Sequence, residues 1–157
     1  MKNKILKIGI LIVLGLTLGF GVIWAQTKLN STKKGETYMN DKQTKSGNIK
    51  VDDFINLIQN PLWVKDTRDS SFIPLYSFRF TYAERGLFED AEGKPKIFTD
   101  YMFYNCKDQL EPTMIKDVKS RVKPGDTVFI EQVHFKNPKF KDNYPMPSSS
   151  LKLILIQ

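Results

Sequence analysis

Four runs in the second half of this chain carry apolar side chains at strand spacing, and they constrain its fold more than any other feature. In "SFIPLYSFRFTY", Tyr76, Phe78, Phe80 and Tyr82 alternate with Ser77, Arg79 and Thr81. That period of two marks a half-buried strand over 72–82, and Pro74 restricts its start to an edge or a bulge. "IFTDYMFYNC" (97–106) is apolar on both faces, and "LKLILI" (151–156) forms a final strand. Two stretches read as short helices instead. Val51, Phe54, Ile55 and Ile58 recur at helical spacing in "KVDDFINLIQNP", with Asp52 and Asp53 at the positive end and Asn60-Pro61 as the stop. "PTMIKDVKSRV" opens on proline and lines up Met114, Ile115, Val118 and Val122. The expected domain is mainly β with one or two short helices.

The fourth strand run, "KPGDTVFIEQVHF", also gathers an aspartate, a glutamate and the chain's one histidine. Pro124-Gly125 suits the central positions of a type II turn. Beyond it Thr127, Phe129, Val133 and Phe135 share one parity and Val128 and Ile130 the other, which predicts a well-buried strand over 126–135. On a regular strand Asp126 and His134 lie roughly 26 Å apart, and Glu131 and His134 face opposite sides. A bulge would bring the last two together, but nothing in the pattern requires one. The stretch is expected to be a turn and a strand.

Charge narrows the function classes. The formal net charge is +7 over 157 residues. Residues 51–157, however, hold fifteen basic and fifteen acidic side chains, so the excess lies before them. A nucleic-acid module places its basic surplus on the folded surface, so no nucleic-acid partner is expected. Cys106 is the lone cysteine, which rules out an intramolecular disulfide framework.

The excess flanks an apolar run, three charges before it and a net four after it. Ile8 to Ala25 is eighteen residues without a charge, preceded by Lys2, Lys4 and Lys7. As a helix it spans about 27 Å, close to a ~30 Å hydrocarbon core. Both a cleaved signal peptide and a retained anchor fit residues 1–25. Ile23 at the −3 position of a cut after Ala25, together with the length of the run, favours the anchor. The expected location is the inner membrane, single-pass, with the C-terminal part in the periplasm, or exported if the segment is cleaved. Gly15 and Gly19 form a GxxxG, a weak helix-packing motif. Residues 26–46 hold few large apolar groups beyond Tyr38 and Met39 and are expected to be a disordered basic linker. The folded domain is then 47–157.

Two other stretches invite chemistry. Glu89, Asp90 and Glu92 sit in "ERGLFEDAEGKPK", expected to be a polar loop without the glycine scaffold of a calcium site. No metal and no cofactor are expected. "KNPKFKDNYPMPSSS" (136–150) interleaves Lys136, Lys139 and Lys141 with Phe140 and Tyr144. A long solvated hairpin loop explains it, and so does a recognition loop, since binding residues concentrate on loops held by a scaffold. Those five residues are the candidate partner-binding set.

The order of these pieces resembles the C-terminal domain of the GldM family, inner-membrane-anchored periplasmic parts of the gliding-motility and type IX secretion machinery. The matching residues are Gly47-Asn48-Ile49, Leu75-Tyr76-Ser77-Phe78, Gly125-Asp126-Thr127-Val128-Phe129-Ile130 and Leu151 to Ile156. The resemblance implies an immunoglobulin-like β-sandwich used for assembly. This chain departs from the family in having room for one such unit, and Lys7 lies at the edge of the apolar run, not within it. An accessory subunit is therefore expected, with envelope proteins, gliding or secretion components among them, as partners. The alternative is an exported protein binding envelope glycans through the 136–150 loop. With one histidine and no nucleophile motif, the chain is not expected to be an enzyme.

Overall fold

The computed structural model describes residues 34–141 and 144–157. Residues 1–25, the expected anchor or signal segment with Lys7, Gly15 and Gly19, and the first part of the expected linker lie outside the described residues. Among the described residues no helix is long and apolar enough to cross a membrane.

Eight strands and two helices occupy the described residues: β1 (Gly35–Tyr38), β2 (Gly47–Lys50), α1 (Val51–Leu57), β3 (Trp63–Asp66) and β4 (Phe72–Glu89), then β5 (Pro95–Cys106), α2 (Pro112–Arg121), β6 (Thr127–Phe135), β7 (Met146–Pro147) and β8 (Leu151–Ile156). The domain is mainly β with two short helices. The strands form one curled sheet in the order β1-β3-β4-β6-β8-β2, with β5 added to β4 and β7 to β6. β2 runs parallel to β8, and the other strand pairs are antiparallel.

Alternation decides what enters the core. Leu151, Leu153 and Leu155 of β8 are buried, while Lys152, Ile154 and Ile156 are exposed. They join Phe78, Phe80 and Tyr82 of β4 and Val128 and Ile130 of β6 in one cluster. Phe54 and Ile58 from the α1 turn and Val118 from α2 cover the same cluster. The helices form where the apolar spacing predicts, with proline opening α2.

The structure corrects four expectations. First, residues 34–46 are not a disordered linker. β1 pairs with β3, Gly35 opposite Asp66 and Tyr38 opposite Trp63. Tyr38 and Met39 are buried, Met39 fully. A compact turn follows, in which Met39 N–H donates to the Thr44 carbonyl (2.9 Å) and Asp41 accepts from the Gln43 and Thr44 amides. Two large apolar residues suffice here because a neighbouring strand satisfies the backbone.

Second, "ERGLFEDAEGKPK" is not a loop. It is the end of β4, a short turn and the start of β5. Third, Tyr76 does not join Phe78, Phe80 and Tyr82 in the core but is 47% exposed. The β4–β6 register shifts between Leu75 and Ser77, so Leu75 points inward instead. Fourth, β6 has a single buried face. Between Ser77↔His134 and Arg79↔Glu131 the partner strand advances two residues and β6 three. Gln132 sits at φ 50° within that bulge. Val128, Ile130, Val133 and Phe135 therefore all point into the core, and Glu131 and His134 share the other face.

The curl closes at its ends. Gly35 bridges Ser148, Lys34 N–H donates to the Pro147 carbonyl (2.9 Å), and Ser149 N–H donates to the Gly35 carbonyl (3.0 Å). The Thr37 amide donates to Ser149 Oγ (2.9 Å), and the Thr37 and Ser148 hydroxyls lie 3.0 Å apart. Glycine is required at 35 by space: a Cβ there would lie 2.3 Å from Val64 Cγ1.

Candidate interaction surface

β6 accompanies β4 only as far as Ala83, but β4 runs on to Glu89 with β5 beside it. The result is a hairpin arm that leaves the sheet. Its turn is built by Asp90, whose Oδ1 accepts from the Lys94 amide (2.8 Å) and the Glu92 amide (3.1 Å). Gly93 supplies φ 75°, a conformation that glycine adopts without steric cost. The Lys94 amide, and after it Lys96 at 3.1 Å, hold the Asp90 carboxyl below the usual carboxylate range. Of the three acidic residues in this stretch, Asp90 thus has a structural task. Among the described residues no group of three or more His, Cys, Asp or Glu is placed to hold a metal.

The two faces of the arm differ. One carries the pairs Leu87↔Ile97, Ala83↔Tyr101 and Thr81↔Phe103. Leu87 is 75% exposed, Tyr101 62% and Phe103 64%. On the other face Phe98 lies over Gly86, where a Cβ would meet its ring at 2.1 Å, and packs edge-on against Phe88. Here an aromatic side chain covers a strand glycine. Toward the base this face turns inward. Tyr104 donates to Asp117 Oδ2 on α2 (2.7 Å), and Glu84 accepts from Lys123 (2.8 Å) and Arg121 (3.4 Å). Burial, then the Asp117 carboxylate, pushes the Tyr104 phenol up to about 12. Cys106 ends the strand buried, its thiol raised to about 11 by burial, so it makes a poor nucleophile.

β4 is the strand that β5 pairs with. Along β5 the residues Pro95–Tyr101 are all exposed, and the register to β4 runs without a shift to Cys106. Edge strands usually carry guards against pairing: internal proline, bulges or lysines along the edge. β5 has its proline at the first position and one lysine beside it. Its middle has no proline, lysine or bulge and a single charge, Asp100. The reading of 84–96 as a polar loop missed this surface, although apolar Leu87-Phe88 and Ile97-Phe98 flanking an Asp-to-Gly turn are a hairpin signal.

The candidate binding loop is placed differently. Asn137 is buried and donates to Asp66 Oδ2 (2.9 Å), fixing the start of the loop. Lys136 lies 4.0 Å from the Tyr76 ring centre, Lys139 pairs with Asp69 (3.3 Å), and Arg68 stacks on Phe140 at 3.8 Å. Lys141 is exposed, and Tyr144 is 62% exposed. Lys136 and Lys139 share a groove of about 580 Å³ with Phe72, Pro74 and Tyr76. Beside it Asp66 is fully buried. Burial alone would raise its carboxyl, but hydrogen bonds from Arg68 and Asn137 outweigh that and hold it low.

Asp126 and His134 do not form a site. Asp126 is buried and accepts from Tyr82 Oη (2.5 Å), the Arg85 amide (2.8 Å) and the Lys123 amide (3.0 Å). Burial and this carboxylate together raise the Tyr82 phenol far above its ordinary value. His134 stands on the opposite, outer face with Glu131.

No family model, curated protein or solved structure matches this chain. The GldM-family likeness accordingly rests on the short motifs that carry it.

Proposed function

We propose that this protein is a non-catalytic interaction module that binds an extended segment of another polypeptide along β5. The observation that carries the reading is the twelve-residue edge Pro95–Cys106, without a proline or bulge beyond its first residue and with Tyr101 and Phe103 exposed on it. Strand addition gives affinity through main-chain hydrogen bonds and specificity through alternate side chains, and β5 offers both. The wider setting is part of the same proposal. The module is held at the inner membrane by residues 1–25 with its domain in the periplasm, as an accessory to an envelope assembly of the gliding-motility or type IX secretion kind. The immunoglobulin-like sandwich is a proposal of the same standing, supported by the resemblance and by the curl of the sheet around one core. The 136–150 loop is a second contact in this reading, through Lys141 and Tyr144. Glycan binding there is less favoured, because Arg68 takes a face of Phe140 and leaves Tyr144 as the loop's exposed ring.

A photo-crosslinking amino acid at position 101 or 103 tests the reading in cells. Adducts heavier than the chain are expected at both positions, and not at Lys50, which is exposed on β2. Absence of adducts at 101 and 103 would remove β5 as the working edge.

A further inference from the structure

We propose that the segment added to β5 is the β5 of a second copy of this chain, antiparallel about a two-fold axis at Met102. The inference rests on the reading of β5 as the interaction edge and adds the identity of the partner. A strand is its own partner when it is extended, lacks internal proline and bulges, and is free of self-repulsion, and β5 meets each condition. It carries one acid, Asp100, and one base, Lys96, so two copies meet without net charge. Residues 51–157 are likewise balanced, fifteen against fifteen. A two-fold axis makes the contact isologous and closed, so it stops at two copies. That is the safe way to cover an edge that would otherwise template open-ended growth.

Side-chain chemistry selects the axis. With Met102 opposite itself, Tyr101 faces the partner's Phe103 and Phe103 faces the partner's Tyr101, giving two aromatic cross-strand pairs on one face. Asp100 then lies opposite the partner's Tyr104, and Thr99 opposite the partner's Asn105. Moving the axis to Asp100 sets two carboxylates against each other. Moving it to Tyr101 sets Asp100 against Met102 and leaves Phe103 opposite threonine, with one aromatic pair on that exposed face. The dimer is one continuous sheet across both copies, with the two arms running past each other.

The purified full chain should sediment as a dimer, and Phe103→Lys should raise its dissociation constant roughly a hundredfold or more, because symmetry removes two anchors at once. Met102→Cys should form a disulfide-linked dimer on mild oxidation, since directly opposite residues lie ~4.5–5.5 Å apart, within disulfide reach. Thr99→Cys should not, being six residues from its own copy along the pair. Buried Cys106 does not compete. The inference is overturned by a monomer at all concentrations, by open-ended aggregates, by a Phe103→Lys dimer of unchanged affinity and native circular dichroism, or by linkage through Thr99→Cys instead of Met102→Cys. If Phe103→Lys fails to fold, the wild-type sedimentation and the two cysteine variants still decide. A monomer whose position-101 adducts contain a different protein would leave the interaction reading standing. A monomer without adducts would sink both.

Discussion

Asp126 shows how a residue that looks chemical can be structural. It closes the turn from Lys123, its own amide reaching the Lys123 carbonyl (3.3 Å) with Gly125 at φ 95°, the conformation that the Pro124-Gly125 pair predicts. What the sequence could not show is where the carboxylate goes, because Tyr82 and Arg85 are some forty residues away and meet it only through the β4–β6 pairing. The buried carboxylate takes a hydroxyl and two backbone amides. Asp126→Ala leaves those three donors unmatched, and a loss of about 3 kcal/mol is expected. Tyr82→Phe removes one charged hydrogen bond and should cost about 1.5 kcal/mol. Urea unfolding measures both. An Asp126→Ala protein within ~1 kcal/mol of wild type would mean that water reaches the site and replaces the carboxylate.

At the scale of elements, strands and helices were legible because apolar spacing is a local signal. The bulge in β6 was not. Val128 and Ile130 against Val133 and Phe135 read as two apolar faces, but the same spacing arises when one extra residue interrupts a single face. Burial on both sides and a bulge leave identical sequence marks, and only the pairing with β4 separates them. The arm was missed for a related reason: charges at its tip outweigh the flanking apolar pairs in any window. Gln132, at φ 50°, gives the bulge a direct test. A β-branched residue is strained there, so Gln132→Val should lose ~1–2 kcal/mol. Gln132→Gly should stay within about 0.5 kcal/mol, relief of strain offsetting backbone entropy. Deleting Gln132 would turn Val133 and Phe135 outward, and no cooperative unfolding transition should remain. A deletion variant with native circular dichroism and a normal melt would show that the bulge is not needed to set the register.

At the scale of the molecule, the domain boundary is where local reasoning and the fold part company. A start at residue 47 was expected because "STKKGETYMNDKQTKSGN" is polar and low in large side chains. The strand it contains is held by what lies far away: β3 on one side and residues 147–149 on the other. Without 34–46, β3 becomes a new open edge, the Gly35–Ser148 closure is lost, and Val64 and Phe135 lose the backbone that packs within van der Waals range of them. Burial of Tyr38 and Met39 alone is worth ~1.5–3 kcal/mol each, and the closing hydrogen bonds add about 1 kcal/mol apiece. Set against a typical domain stability of ~5–15 kcal/mol, that loss is decisive. A fragment of residues 34–157 should therefore melt cooperatively, whereas 47–157 should be largely unfolded or at least about 5 kcal/mol less stable. Thermal circular dichroism and limited proteolysis of the two fragments side by side make the measurement. Equal melting temperatures would return residues 34–46 to the status of a linker and leave the curl of the sheet to be explained by β6, β7 and β8 alone.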